Sequence, residues 1–238
     1  STHGSPLTLG GMICGWPNAP YPQSEADEPR VLESGGSTVQ SAGSPVSAIV
    51  IEPTQQSTGY KVSDKFIQDL YSIARENDAA LVVDETSTSC HATGKFWQYK
   101  GPADYVTFGK RAQATGYFSK ADGLTALGGC ENDVKLLKLI LQGVKEGGLE
   151  SSVQEVASHL SQKASGLNLS GVTGARSSGN CLWVDTESVS AATNLMVHLR
   201  SRGVLVKQNG QRGIVAKPAL VFGKNHYDEL FTALNSFK

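Results

Sequence analysis

Short apolar runs alternate with amphipathic segments through the middle of the chain. Three runs rich in β-branched and aromatic residues, at 48–52, 80–84 and 105–109, have the length and composition of buried strands. Between the first two, apolar residues recur at helical spacing after Ser63, which predicts a helix over 63–77 with Ser63 as its N-cap. This order predicts βαβ units, and therefore an α/β fold with a mostly parallel sheet and covering helices.

The regions on either side of these runs follow other patterns. Residues 22–48 contain few large apolar side chains, so we expect a long surface loop or a partly disordered linker there. The second half alternates helical and strand patterns, which favours a smaller α+β domain at the C-terminus. We place the two domains at residues 1–150 and 151–238. The predicted elements of the second half are helices at 132–145, 150–165, 191–202 and 227–237, strands at 181–184, 204–206 and 214–216, and a break at 166–179.

The charge balance argues against several classes of partner. The 238 residues carry 21 Lys and Arg against 22 Asp and Glu, a net charge of −1, without a basic cluster. Proteins that bind nucleic acids or anionic membranes need such a cluster. The longest apolar runs have about five residues, whereas a membrane span needs about 20. We therefore expect neither nucleic acid among the partners nor a membrane span.

The cysteine spacing bears on the state of the thiols, and the N-terminal residues bear on the processing of the chain. Cys14, Cys90, Cys130 and Cys181 form no C-x-x-C pair, so neither a zinc ribbon nor a redox pair is predicted. Free and mostly buried thiols in a reducing compartment are the simpler interpretation. The chain starts at Ser1 without Met or an apolar signal core, so we expect it to be processed or incomplete.

Charged residues stand at the ends of the three predicted strands. Glu52 and Asp84 end two of them, and Lys110 follows the third directly after a glycine. The carboxyl ends of parallel strands meet at one edge of a sheet, which is where open α/β folds bind ligands. A partly desolvated lysine can attack a carbonyl, and a buried acid can hold a proton on a pyridine nitrogen. Taken alone, however, a strand-end Asp is more often a turn cap, and a Lys before Arg is more often a solvated surface residue.

Several motifs occur in an order that resembles one enzyme family, the class III, fold-type I aminotransferases, which use pyridoxal phosphate. The Thr-Gly-Lys-Phe-Trp motif is the most specific of them, and it is typical of the branch that acts on ω-amino acids such as 4-aminobutyrate. The resemblance implies a partial large cofactor-binding domain followed by the small C-terminal domain. The matching stretches are Ile51-Glu52-Pro53-x-Gln55, Leu81-Val82-Val83-Asp84-Glu85, Thr93-Gly94-Lys95-Phe96-Trp97, Thr107-Phe108-Gly109-Lys110 and Lys217-Pro218-x-Leu220-Val221-Phe222.

The resemblance also implies roles for individual residues. Lys110 would bind the cofactor covalently and act as the catalytic residue, and Asp84 would pair with the pyridine nitrogen. His3 resembles a histidine beside the cofactor ring, and Thr125 matches a threonine that reaches the cofactor phosphate of the neighbouring subunit. Ser87 stands where the family has a glutamine that contacts the cofactor's phenolic oxygen. These roles imply a homodimer, and the resemblance implies a mitochondrial location.

Other positions depart from the family at the substrate site. The arginine of the His-Gly-Arg motif is absent after His3, and Val215 and Lys217 stand where the family has two arginines. Ser57 aligns with the glutamate that pairs with one of them. Loss of both members of a buried ion pair is chemically coherent, because a charge left without its partner is costly. The Gly-Ser loop and helix N-terminus that hold the cofactor phosphate are also missing from the sequence.

These departures lead to two hypotheses for the function. The first is a degenerate aminotransferase-family protein, a non-catalytic structural or accessory subunit of a larger mitochondrial assembly with protein partners. In that case we expect pyridoxal phosphate to be absent from this chain. The alternative is a pyridoxal-phosphate-dependent ω-amino-acid aminotransferase of the 4-aminobutyrate type, seen as a fragment, with a small amino acid as substrate. A nucleotide-binding domain has little support, because neither Gly-x-Gly-x-x-Gly after a strand nor a P-loop occurs.

Overall fold

Three parallel strands and one antiparallel strand form the first sheet. The computed structural model describes residues 16–120 and 131–237. The sheet contains β1 (Ala48–Ile51), β2 (Ala80–Asp84), β3 (Tyr105–Phe108) and β4 (Gly116–Ser119), in that order. The first three strands are parallel, as the sequence predicts, and β4 is antiparallel to β3. The fold is therefore α/β, and the three strand ends that carry charged residues meet at one edge.

The first helix, α1 (Glu28–Gln40), lies where the sequence predicts a loop or linker, so that prediction is wrong. Its anchor is Glu28, whose carboxylate accepts hydrogen bonds from the backbone N–H and the hydroxyl of Ser63 and from the Tyr60 hydroxyl. Val31 on the same helix is buried in the hydrophobic core beside the first sheet, in one cluster with Phe66 and Leu81. These contacts are distant in sequence, and such tertiary contacts can stabilise a helix of weak intrinsic propensity.

The second helix, α2 (Asp64–Glu76), covers the first sheet and agrees with the predicted helix over 63–77. Ser63 is its N-cap, with the hydroxyl oxygen accepting from the Phe66 backbone N–H at 3.0 Å. The apolar face of α2 is buried against the β2 side chains Leu81 and Val83 in one hydrophobic cluster. The buried residues of that face are Phe66, Ile67, Leu70 and Ala74.

The C-terminus of α2 gives a prediction about stability. The Ala79 N–H bonds to the Ala74 carbonyl at 2.9 Å and the Asp78 N–H to Arg75, which is a Schellman arrangement with Asp78 in the left-handed conformation (φ 52°). Glycine adopts this conformation without steric cost, and an acid is unfavourable at a helix C-terminus. Asp78→Gly is expected to raise the free energy of unfolding by about 1 kcal/mol, measured by urea denaturation. Glu76→Gly, at the last residue of the helix, should lower it because glycine has a poor helix propensity. Stabilisation by both changes, or by neither, would contradict this explanation.

The second sheet is antiparallel and lies after two long helices. The elements are α3 (Glu131–Glu146), α4 (Leu149–Ser165), β5 (Val172–Ser178), β6 (Cys181–Thr186), α5 (Val189–Ser201), β7 (Lys207–Asn209), β8 (Gly213–Ala216) and α6 (Lys224–Asn235). The four strands run in the order β5-β6-β8-β7. Helices α4, α5 and α6 bury apolar residues in one core with this sheet, among them Leu160, Leu195, Leu199, Tyr227 and Leu234.

Two predictions for this half are wrong in detail. The break predicted at 166–179 contains β5, which is made of small and polar residues but pairs along its length with β6. The strand predicted at 204–206 lies at 207–209, where it pairs with β8. The division into domains at residue 150 stays a prediction. Within 16–120 and 131–237, none of the helices combines the length and apolar character that crossing a bilayer requires.

Candidate active site

Asp84 is the last residue of β2 and the buried acid at the edge of the first sheet. Only 4% of it is exposed. One carboxylate oxygen accepts from the Thr86 N–H and from the Thr107 hydroxyl, each at 2.9 Å. Thr107 is also the partner of Asp84 in the β2–β3 register. These contacts fix the carboxyl at the sheet edge, at the end of β2 as the sequence predicts.

Lys110 follows β3 and lies in an unusual backbone conformation. Its φ is 51°, in the left-handed region, which costs a residue other than glycine roughly 1–2 kcal/mol. Strain of this kind persists only where the surrounding structure holds it, and it is common at functional sites. The amine donates hydrogen bonds to the Ser87 hydroxyl oxygen and to the side-chain carbonyl oxygen of Gln56. The predicted site residues Lys110 and Ser87 are thus in direct contact.

Gln56 is a site residue that the sequence analysis missed. Its side-chain carbonyl oxygen accepts from the Ser87 hydroxyl at 2.7 Å as well as from Lys110. Its backbone N–H donates to the Glu52 carboxylate at 2.9 Å. The only signal in the sequence was its place four residues after a strand-end acid, which does not by itself indicate a contact with Lys110.

Glu52 carries the second strand-end carboxyl. Burial raises its pKa above the ordinary value and the nearby Asp84 adds to that effect, while Lys110 and Lys217 oppose it. Glu52 therefore lies within electrostatic reach of both the acid and the amine, as the sequence predicts. We call this region the crevice and define it by Glu52, Gln56, Asp84, Ser87, Lys110 and Lys217.

Lys217 enters the crevice from the end of β8. Its ammonium lies over the ring of Trp183, 5.1 Å from the ring centroid, which is a cation–π contact. Burial lowers the pKa of the Lys217 amine, and the neighbouring Lys110 acts in the same direction. Val215 is buried in a small cluster with Trp183 and Cys181, so Val215 and Lys217 contact the same indole, as strand alternation predicts.

Ser57 lies in the loop that carries Gln56, at the position that the resemblance aligns with a glutamate. Its backbone carbonyl accepts a hydrogen bond from the Asn209 side chain at the end of β7. The same loop is joined to the second sheet by Trp183, whose indole N–H bonds to the Gln56 carbonyl at 3.0 Å, and by Arg176, which bonds to the Thr58 carbonyl at 2.9 Å. The loop from 56 to 58 is therefore held by both sheets.

The remaining predictions concern two site residues, the four cysteines and the absence of a metal site. His3 and Thr125 lie outside the described residues, as do Cys14 and Cys130. Cys90 and Cys181 are free and buried, in agreement with the expected reduced thiols. No group of three or more metal-ligating side chains occurs in the described parts of the chain.

Comparison with known proteins identifies the family. The family model described as aminotransferase class-III matches residues 3–127, slightly more than half of the chain. The chain belongs to the class III aminotransferase family. The 4-aminobutyrate aminotransferase of Emericella nidulans is 27% identical over 260 residues, covering 92% of this chain and 50% of that protein. The mitochondrial 4-aminobutyrate aminotransferase of Mus musculus is 28% identical over 253 residues, with 93% and 50% coverage. The chain spans about half the length of these curated relatives.

Solved structures agree on the fold. The lysine aminotransferase of M. tuberculosis superposes with a TM-score of 0.78 at 21% identity, covering 93% of this chain and 58% of that one. The ornithine aminotransferase of Plasmodium yoelii gives a TM-score of 0.70 at 18% identity, with 85% and 59% coverage. The fold is thus that of the fold-type I aminotransferases, of which the chain covers somewhat more than half.

Class III aminotransferases depend on pyridoxal phosphate, so membership of the family implies this cofactor. Proteins of the family are usually dimers. The side chains in the crevice have the chemical character that binding of pyridoxal phosphate requires. Asp84 is a buried acid, suited to a pyridine nitrogen, and Lys110 is an amine at the next strand end, suited to an aldehyde. Gln56 and Ser87 add polar atoms in contact with the amine.

Proposed function

We propose that this protein is a class III aminotransferase relative that does not transaminate 4-aminobutyrate and that acts as a structural or accessory subunit of a larger mitochondrial assembly. Retention of the fold without the activity is physically reasonable, because a fold and the chemistry of its site are separable. The mitochondrial part of the proposal is supported by relatives whose names carry that location. Its protein partners would be a second copy of the chain or other subunits.

The observation that carries this proposal is the state of Lys217. An arginine can bind a carboxylate through two parallel hydrogen bonds, whereas a lysine offers a single flexible charge. Here the ammonium is engaged with the Trp183 ring, and the neighbouring Val215 is apolar and buried. Position 57 carries a serine in place of the acid that the resemblance pairs with an arginine. A substrate carboxylate would find weak recognition at this end of the crevice.

A second candidate function is pyridoxal-phosphate-dependent transamination of an ω-amino acid of the 4-aminobutyrate type, by a protein of which this chain is a fragment. The observation that favours it is the placement of Asp84 and Lys110 at the same ends of two neighbouring parallel strands, with the backbone of Lys110 held in a strained conformation. When bound, the cofactor supplies an electron sink for the substrate carbon. Lys110 would hold the cofactor and move a proton at that carbon, and Asp84 would keep the ring nitrogen protonated.

The expected absence of the cofactor stays a prediction. One reason to expect this absence is that Ser87 replaces a glutamine that contacts the cofactor. The side-chain amide of Gln56 lies beside Ser87, however, and could supply the missing contact. An absorbance spectrum of the purified protein separates the two candidates. A near-ultraviolet or violet band that borohydride fixes on Lys110 would favour the enzyme, and its absence would favour the scaffold.

Activity with 4-aminobutyrate tests the first proposal directly. We expect no turnover of 4-aminobutyrate and 2-oxoglutarate with added pyridoxal phosphate, above the background of a Lys110→Ala variant. The reason is the missing bidentate contact to carboxylate at Lys217. The measurement is succinic semialdehyde formation, coupled to a dehydrogenase.

A restored ion pair provides the matched comparison. Lys217→Arg with Ser57→Glu returns a guanidinium and an acid to the two aligned positions, whereas Val215→Arg would place a charge inside the Cys181–Trp183 cluster. Turnover by the double variant alone would show that the substrate site is what the chain has lost. Robust turnover by the unaltered chain would refute the scaffold proposal.

A further inference from the structure

The side chain of Gln56 joins the ends of all three parallel strands. It belongs to the loop after β1, and it contacts Ser87 after β2 and Lys110 after β3. We propose that Gln56 is a ligand-binding residue of the crevice, which holds the Lys110 amine with its carbonyl oxygen and presents its amide N–H group to an oxygen of a ligand bound at that amine.

The orientation of the amide follows from the chemistry of its partner. A lysine ammonium can only donate hydrogen bonds, so the atom of Gln56 that faces Lys110 must be the oxygen. The Ser87 hydroxyl donates to the same oxygen at 2.7 Å. The Gln56 amide nitrogen, bonded to the same carbon as this oxygen, contacts neither partner, and it has no hydrogen-bond acceptor among the residues that the structure describes. Two donors are therefore available beside the amine.

Both the main chain and the side chain of Gln56 are held by hydrogen bonds. Its backbone N–H donates to the Glu52 carboxylate, and its backbone carbonyl oxygen accepts from the Trp183 indole N–H. Its side-chain oxygen is held by Lys110 and Ser87. A donor held in advance loses little conformational freedom when a ligand binds.

The donors next to an amine define the class of ligand. An aldehyde reacts with the lysine amine to form a C=N bond, and the aldehyde oxygen leaves as water. An aldehyde that carries a hydroxyl on the adjacent ring carbon would place that oxygen within reach of the Gln56 amide. This binding role does not require transamination, so it goes beyond the proposed function and can hold whether or not the chain turns over 4-aminobutyrate.

Two matched aldehydes test the contact. The full chain would be incubated with 3-hydroxypyridine-4-carbaldehyde or with pyridine-4-carbaldehyde, which lacks only the hydroxyl. Cyanoborohydride reduces the C=N bond by hydride transfer to carbon, and peptide mapping then measures the label on Lys110. In Gln56→Leu, the preference for the hydroxylated aldehyde should fall about tenfold relative to the unaltered chain, since one hydrogen bond is lost. The neighbouring Gln55→Leu should leave that preference unchanged.

A rescue variant separates a direct contact from loss of structure. Gln56→Ser should lose the preference, and Gln56→Ser with Ser87→Gln should restore it, because the two side chains lie in contact and the amide returns to the same place. Circular dichroism would confirm that every variant is folded. An unchanged preference in Gln56→Leu, an equal loss of labelling by both aldehydes, a double variant without rescue, or an unaltered chain without label on Lys110 would each overturn the proposal.

Discussion

Glu85→Ala is expected to lower the free energy of unfolding by about 4 kcal/mol, because it leaves several buried donors without an acceptor. Glu85 follows Asp84 and is fully buried. Its carboxylate accepts from the Thr88 hydroxyl at 2.6 Å and from the backbone N–H groups of Gln98 and Tyr99 at 2.9 and 2.8 Å. One side chain thereby closes the long loop between β2 and β3.

Chemical denaturation measures this loss, and Glu85→Gln is the matched control. Glutamine keeps the shape and one acceptor oxygen, so it should cost clearly less than alanine. Far-ultraviolet circular dichroism at low denaturant would show that both variants start from the folded state. Equal stability of the alanine variant and the unaltered chain would mean that the loop does not depend on Glu85.

The difference in stability between the unaltered chain and Glu85→Gln should also change with pH, in a direction that can be measured. Burial raises the pKa of Glu85 above its ordinary value of 4.5. The folded state then binds a proton that the unfolded state has already released, so the contribution of Glu85 to stability falls as pH rises from about 4.5 through the folded pKa. The stability advantage of the unaltered chain over Glu85→Gln should be largest below this window and smaller above it. A constant or growing advantage would contradict the raised pKa.

Gly59→Ala is expected to lower the free energy of unfolding by about 3 kcal/mol, through a clash added to backbone strain. Gly59 has φ 72°, and a Cβ at this position would lie 2.4 Å from the Cδ2 atom of Trp183. The indole would have to move, and with it the hydrogen bond to the Gln56 carbonyl and the contact with Lys217. The loss of stability should therefore come with a change in tryptophan fluorescence.

Gly210 provides a control for the backbone alone. Its φ is 59°, but a Cβ there would meet nothing within 4 Å, so Gly210→Ala should cost only about 1 kcal/mol. A smaller partner should relieve the clash, so Gly59→Ala with Trp183→Leu should cost less than the sum of the single changes. Equal costs at positions 59 and 210, or strict additivity of the pair, would show that the close approach to Trp183 is unimportant.

Local pattern was sufficient for some elements and misleading for others. Strands β1 to β3 and helix α2 were predictable because their apolar residues follow a clear period and Ser63 marks a helix start. Helix α1 was not, because its stability depends on Glu28 contacting Tyr60 and Ser63, more than 30 residues away. Strand β5 escaped prediction because its small, polar residues are ordered by pairing with β6.

The candidate site shows the same division. Asp84 and Lys110 were predictable from strand ends and from motifs that resemble a family. Gln56 was not, because its role depends on where a loop places a neutral side chain between two other strand ends. The cation–π contact between Lys217 and Trp183 likewise joins a residue just after β8 to a residue of β6, more than 30 positions away in the sequence. Sequence motifs identify the charged groups of a site better than the neutral groups that orient them.

The loop from 56 to 58 is held by the second sheet entirely through its main chain. Trp183, Asn209 and Arg176 all donate to backbone carbonyl oxygens, so none of these bonds depends on which side chains the loop carries. Substitutions at 56 and 57 can therefore alter what the crevice recognises without releasing the loop. In this part of the protein, evolution can therefore change specificity and architecture separately.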